Sequence, residues 1–91
     1  MPAREIEIIN KLGLHARASA KFVGVAGQFK ETTIRVGRTP ESTIDGKSIM
    51  AMMMLAAGKG TKIYLETQGE QAQEAMDALA KLIDNYFDEG E

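Results

Sequence analysis

The sequence predicts an α+β fold: a four-stranded sheet, solvated on one face and covered on the other by three helices, in the order β-α-β-β-α-β-α. Three observations predict it. Four short stretches alternate Ile, Val or Leu with polar residues, the period of a strand with one buried face. Three longer stretches carry apolar residues at the spacing of a helix, and glycine or proline punctuates the joints between them. The 91 residues are 44% hydrophobic and 26% charged, an ordinary globular balance, and read as one domain over the whole chain. A chain of this size buries roughly 60–65% of the surface it exposes when unfolded.

The elements follow in order. Glu5-Ile6-Glu7-Ile8-Ile9 forms the first strand, with Ile6 and Ile8 inward and Ile9 shaping the exit. A helix runs from Ala16 to about Gln28, with Ala18, Phe22, Val25, Ala26 and then Phe29 as its core stripe. Thr32 to Gly37 is the second strand, with Ile34 and Val36 inward; Gly37 to Glu41 turns the chain, and Ser42 to Asp45 completes a hairpin. Ser48 caps a short helix reaching Leu55 or Ala56, worth about 1 kcal/mol to that helix. This helix is apolar all round. Met52 and Leu55 suit the core, whereas Ile49, Met50 and Met53 are left for the surface. Gly58-Lys59-Gly60 supplies a left-handed cap and a turn. The fourth strand is Thr61 to Thr67, with Ile63 and Leu65 inward. The last helix has the most regular pattern: Ala72, Ala75, Met76, Leu79, Leu82, Ile83 and Tyr86. Phe87 to Glu91 adds acids where the helix dipole is already negative, so a frayed acidic tail is expected.

Composition removes several function classes. A formal net charge of -2, three Phe and two Tyr argue against nucleic-acid binding, which needs a basic face with stacking aromatics. The absence of cysteine suits a reducing cytoplasm. No apolar segment follows Met1-Pro2-Ala3-Arg4-Glu5 as a signal peptide would require. The longest apolar run, Ile49 to Ala57, is nine residues against the ~20 of a membrane helix, so no membrane insertion is expected. No His or Cys cluster offers metal ligands and no glycine-rich loop offers a nucleotide site, so no cofactor is expected.

Chemistry concentrates in Lys11-Leu12-Gly13-Leu14-His15-Ala16-Arg17-Ala18. Gly13 suits a tight bend. His15, the only histidine, falls at the N-cap of the first helix, where the leading amides lack internal partners and the dipole is positive. Arg17 in the first turn opposes that dipole by roughly 0.3–1 kcal/mol, a sign that a bound anion reverses. A phosphoryl group on the imidazole would meet both the free amides, that of Ala16 among them, and the guanidinium. A histidine in such a place is also a common capping residue, and Lys21, four residues beyond Arg17, is either a solvated lysine or a rim charge for acidic partners.

Gly13-Leu14-His15-Ala16-Arg17 resembles the active-site signature of HPr, the histidine phosphocarrier family of the bacterial phosphotransferase system. Gly46-Lys47-Ser48-Ile49-Met50 resembles the start of that family's second helix, which carries a regulatory serine. The two motifs stand at the family's separation, and the resemblance covers essentially the whole chain. Asn10 to Arg17 and the ending Phe87-Asp88-Glu89-Gly90 look closer to the nitrogen-related branch, NPr, than to the sugar-transport branch. One departure is Ala18, where many relatives carry proline. Alanine keeps the helix and restores an N–H, so the chemistry should survive with a less rigidly held loop.

The resemblance implies the HPr-like open-faced sandwich with an antiparallel sheet. It also implies a relay: enzyme I passes a phosphoryl group to Nδ1 of His15, which passes it to a histidine of an EIIA-type protein. Arg17 and the Ala16 amide would stabilise the phosphoryl charge. Ile49, Met50 and Met53, with Lys21 and Lys47 as flanking cations, would form the docking patch for both partners, and Ser48 the target of a Ser kinase and phosphorylase. A cytoplasmic, monomeric carrier is expected. The rival reading is a non-catalytic regulatory module that binds through the methionine-rich face.

Overall fold

A computed structural model describes residues 2–90. Met1 and Glu91, the latter assigned above to the acidic tail, lie outside them. The elements are β1 (Ala3–Glu7), α1 (Ala16–Ala26), β2 (Thr32–Thr39), β3 (Ser42–Asp45), α2 (Ile49–Met54), β4 (Lys62–Gly69) and α3 (Ala72–Asp84), followed by one tight turn at Tyr86–Asp88. The order is the one the sequence predicts. All strand pairs are antiparallel, in the spatial order β1-β4-β2-β3.

The alternating pattern dictates which face is buried. Ile6, Ile34, Val36, Ile63 and Leu65 enter one core together with Ala18, Phe22 and Ala26 of α1 and Ala75, Met76, Leu79 and Ile83 of α3. The charged partners on the same strands, such as Glu5 opposite Tyr64 and Arg35 opposite Glu66, share the other face. β1 starts and stops two residues before the predicted strand, yet Ile8 is still buried, because its amide and carbonyl bond Thr61 and Gly60 just beyond the ladder. β2 is longer than predicted. The register shifts between Gly37 and Thr39, and the close approach there requires glycine, since a Cβ at Gly37 would lie 2.0 Å from the Ser42 carbonyl oxygen.

β4 starts one residue later and ends two residues later than predicted, and all three helix ends differ from the sequence reading. α1 ends at Ala26, not near Gln28, because the Gln28 and Phe29 amides bond carbonyls three residues back and tighten the exit. Val25 and Phe29 remain packed on the core edge. α2 stops at Met54, and its left-handed exit is Ala56 (φ 52) rather than the Gly58-Lys59-Gly60 run; Gly60 (φ 89) instead turns the chain into β4. The largest difference is at the end of α3. Tyr86, predicted to continue the apolar stripe, is exposed, and Phe87, predicted to fray, is fully buried in the core. Tyr86, Phe87 and Asp88 all adopt left-handed φ (58, 52 and 64), which rolls the stripe one residue onward.

Candidate functional site

The loop before α1 is held by backbone and buried amides, not by packing alone. Asn10 is buried and its Nδ2 donates to the Gly13 carbonyl at 2.8 Å, while the Gly13 amide donates back to the Asn10 carbonyl at 3.2 Å. Gly13 has φ 64, and a Cβ there would stand 2.5 Å from the Ala57 carbonyl oxygen and 2.7 Å from the Gly58 Cα. No other residue type fits without moving backbone. Leu14 follows into the core, its amide donating to Ala57 and its carbonyl accepting from the buried Ser19 hydroxyl. His15 therefore leaves the loop with its backbone already fixed.

His15 is the N-cap of α1, extended at φ -73 and ψ -179, and its carbonyl accepts the first helical bond from Ser19. Its ring does the capping. The Arg17 amide donates to Nδ1 at 3.1 Å. A nitrogen that accepts from an amide carries a lone pair, so the neutral ring has its proton on Nε2. Nε2 lies 3.0 Å from Oε1 of Glu89, the side chains being 25% and 13% exposed, and donates to that carboxylate. The first turn of α1 holds no acidic residue.

These groups line one open cleft of about 440 Å³, formed by Lys11, Leu12, His15, Ala16, Arg17 and Glu89. The Arg17 guanidinium is exposed and bonds no other described residue. The cleft thus brings together an unprotonated ring nitrogen, the start of a helix and the cations Lys11 and Arg17, groups suited to an anion beside a nucleophile.

Of the predicted site residues, His15, Ala16 and Arg17 are brought together. Ala18 is buried inside the first turn and continues the helix. Lys21 turns to the tail, where its Nζ donates to the Phe87 carbonyl at 2.9 Å. Lys47 reaches away from the cleft: its Nζ donates to the Phe29 carbonyl at 2.8 Å, and it borders a separate groove with Lys30 and Arg35. Ser48 accepts from the Ala51 amide at 3.2 Å as the N-cap of α2. Ile49, Met50 and Met53 are exposed on α2 while Met52 is buried, as the spacing predicts.

Three residues escape the sequence reading. Leu12 and Met54, 68% and 81% exposed, enlarge the apolar surface. Glu89 joins the cleft from a tail expected to fray. The left-handed turn brings it there, with Asn85 donating to Asp88 at 2.7 Å and the Glu89 amide donating to the Tyr86 carbonyl at 3.0 Å. Left-handed φ costs a residue with a side chain roughly 1–2 kcal/mol, and three occur in succession. Burial of the Phe87 ring, worth about 2–3 kcal/mol, and the bonds from Lys21 and His15 offset this.

The fold is that of proteins already known. The family model described as "PTS HPr component phosphorylation site" matches residues 2–85. Phosphocarrier protein HPr of Pseudomonas putida is 70% identical over 91 residues, covering all of both chains. Phosphocarrier protein NPr of Shewanella violacea is 41% identical over 87 residues, covering 94% of this chain and 92% of that one. Among solved structures, HPr-C-His from Thermoanaerobacter tengcongensis superposes with a TM-score of 0.90 at 39% identity, covering 98% of each chain. HPr from Bacillus anthracis gives 0.82 at 36%, covering 90% of this chain and 95% of that one. The chain belongs to the HPr family of phosphocarrier proteins of the phosphotransferase system.

Proposed function

We propose that His15 is the phosphoryl-carrying residue, in one HPr-like domain acting in the cytoplasm. The observation that carries this reading is the acceptor state of Nδ1, fixed at the start of α1 by the Arg17 amide on a residue that lines the cleft. Enzyme I would be the donor. As Nδ1 bonds to phosphorus in line, the donor's phosphorus–nitrogen bond breaks and its electron pair stays on the donor imidazole. The onward step repeats this, with His15 as leaving group and a histidine of an EIIA-type protein as nucleophile. Once phosphorus occupies Nδ1, the Arg17 amide that bonded the lone pair can turn to a phosphoryl oxygen, alongside the Ala16 amide and the Arg17 guanidinium.

Ile49, Met50 and Met53 form the docking patch in this reading, with Leu12 and Met54 extending it. Flexible thioethers suit a surface that must accept two different partners in turn. Lys21 and Lys47 hold backbone carbonyls, so their contribution to docking is charge at the rim rather than direct reach. Ser48 is the regulatory position: a phosphate there adds about -1.5 to -2 charge beside the patch and should weaken enzyme I docking. Unchanged transfer by a Ser48→Asp variant would remove it from the scheme.

The nitrogen-related branch is supported by the Asn10–Arg17 phrase and the Phe87-Asp88-Glu89-Gly90 ending. The test is intact mass after incubation with phosphoenolpyruvate and an enzyme I of either branch, before and after mild acid. One acid-labile phosphoryl group, absent from His15→Ala, is expected, and the faster enzyme I identifies the branch. No gain with any active enzyme I would transfer the function to the methionine-rich face as a binding module.

A further inference from the structure

The carrier chemistry leaves one group in the cleft without a task, the Glu89 carboxylate. We propose that Glu89 is a positioning residue for phosphoryl transfer: it accepts a hydrogen bond from the Nε2–H of His15, fixes the ring with Nδ1 toward phosphorus, and holds the protonated ring that phosphorylation creates. The proposal rests on His15 being the phosphoryl carrier.

The two ring nitrogens have partners of opposite kind. An amide donates to Nδ1 at 3.1 Å and a carboxylate accepts from Nε2 at 3.0 Å, so only the tautomer with its proton on Nε2 satisfies both. That tautomer is the one whose Nδ1 can attack. The same division of labour is found where a buried carboxylate orients a catalytic imidazole and steadies its charged form.

Glu89 does not arrive there by chance of a loose end. Phe87 is fully buried between α3 and the rest of the core, its carbonyl is held by Lys21, and Tyr86, Phe87 and Asp88 all accept left-handed φ to deliver the next residue to His15. Strain retained in successive residues beside a reactive group points to function.

The transfer balances with the proton stationary. When Nδ1 forms its bond to phosphorus, its lone pair is spent and the ring, still protonated on Nε2, becomes cationic beside the Glu89 anion. When phosphorus leaves, the bonding pair returns to Nδ1 and the ring is neutral again. Without the carboxylate the cationic ring has no anion beside it, and the proton that makes it a good leaving group is held less firmly.

Three chains decide this: wild type, Glu89→Ala and Glu89→Gln, the last keeping an acceptor without the charge. The imidazole Nε2–H resonance of His15 should be visible by proton–nitrogen NMR in wild type and Glu89→Gln, and lost to solvent exchange in Glu89→Ala. In transfer from phosphorylated enzyme I, Glu89→Ala should lower kcat about 10-fold with KM unchanged, and Glu89→Gln should recover part of the loss. Its isolated phosphoprotein should also hydrolyse more slowly at neutral pH. Glu89→Gln, which keeps a hydrogen-bond acceptor for His15, should melt with the wild type, so that its remaining loss of rate is not a folding defect. Wild-type or faster transfer by Glu89→Ala overturns the proposal, as does absence of the Nε2–H signal from the wild type. Failure of the wild type to accept any phosphoryl group overturns the carrier reading, and the positioning role with it.

Discussion

α1 and α2 begin in the same way and end up with opposite surroundings. Each opens on an extended N-cap residue whose side chain accepts from its own helix, His15 from the Arg17 amide and Ser48 from the Ala51 amide. Around His15 stand Lys11, Arg17 and Glu89, charges of both signs in an open cleft. Around Ser48 the helix offers Ile49, Met50, Met53 and Met54 to solvent, with Met50 71% exposed. The difference teaches that a helix start is only a scaffold. In the proposed function, an imidazole with charged neighbours makes it a place for group transfer, and a hydroxyl followed by thioethers makes it a place for contact.

Four changes test that division, beginning with the most severe. His15→Ala should abolish phosphoryl acceptance outright, read by intact mass, whereas Ser48→Ala should leave it in place. Arg17→Ala should lower the rate of transfer from phosphorylated enzyme I by roughly 10²-fold, the size of losing a charge-stabilising donor, in rapid-quench measurements. Met50→Glu should raise KM for enzyme I about 10-fold, equal to about 1.4 kcal/mol of docking, with kcat within twofold of wild type. An effect confined to kcat would mean that α2 shares in the chemistry and the two starts are not divided as described. Ser48→Ala should cost about 1 kcal/mol of stability and lower Tm by about 4–8 °C in a calorimetric scan, a capping loss without a chemical one.

The weakest effect comes from the solvated face of the sheet and serves as a baseline for both helices. Tyr64 donates to Glu66 at 2.7 Å, and this bond, with the neighbouring carboxylates and partial desolvation, pushes its phenol above the ordinary tyrosine range. A raised value favours the protonated phenol in the folded state. The stabilisation is complete below the ordinary tyrosine pKa and lost as pH climbs through the raised one. Denaturant midpoints should therefore fall at strongly alkaline pH, and less so in Tyr64→Phe.

Period and punctuation made most of this molecule legible. Alternation assigned Ile34, Val36, Ile63 and Leu65 to the core, three-four spacing assigned α3, and the Gly13-to-Arg17 phrase located the cleft. Such signals work because each side chain's face is set by its own backbone geometry. Tyr86 and Phe87 show where that logic stops. Helical spacing places Tyr86 inward, and nothing local announces three left-handed residues without a glycine among them. The conformation is imposed from a distance, by a core cavity that fits Phe87 and by Lys21 and His15, which are remote in sequence. Ala56 carries the same lesson on a smaller scale: the left-handed exit of α2 lies there while glycines wait two residues on. Glu89 was hidden for the same reason, since its role depends on where the chain before it is forced to go.

The bond between His15 and Glu89 spans 74 positions of the chain, and this sets a temporal order as well as a spatial one. A polypeptide grows from its N-terminus at roughly 5–20 residues per second, so the nucleophile emerges several seconds before its carboxylate exists. In that interval the β4 partner of β1 is also missing, and the loop that carries His15 has no Ala57 or Gly58 to rest against. The ring of a nascent chain thus lacks its Nε2 partner while its sequence signature is already complete. The bond that orients Nε2 forms only once nearly the entire fold has closed around it.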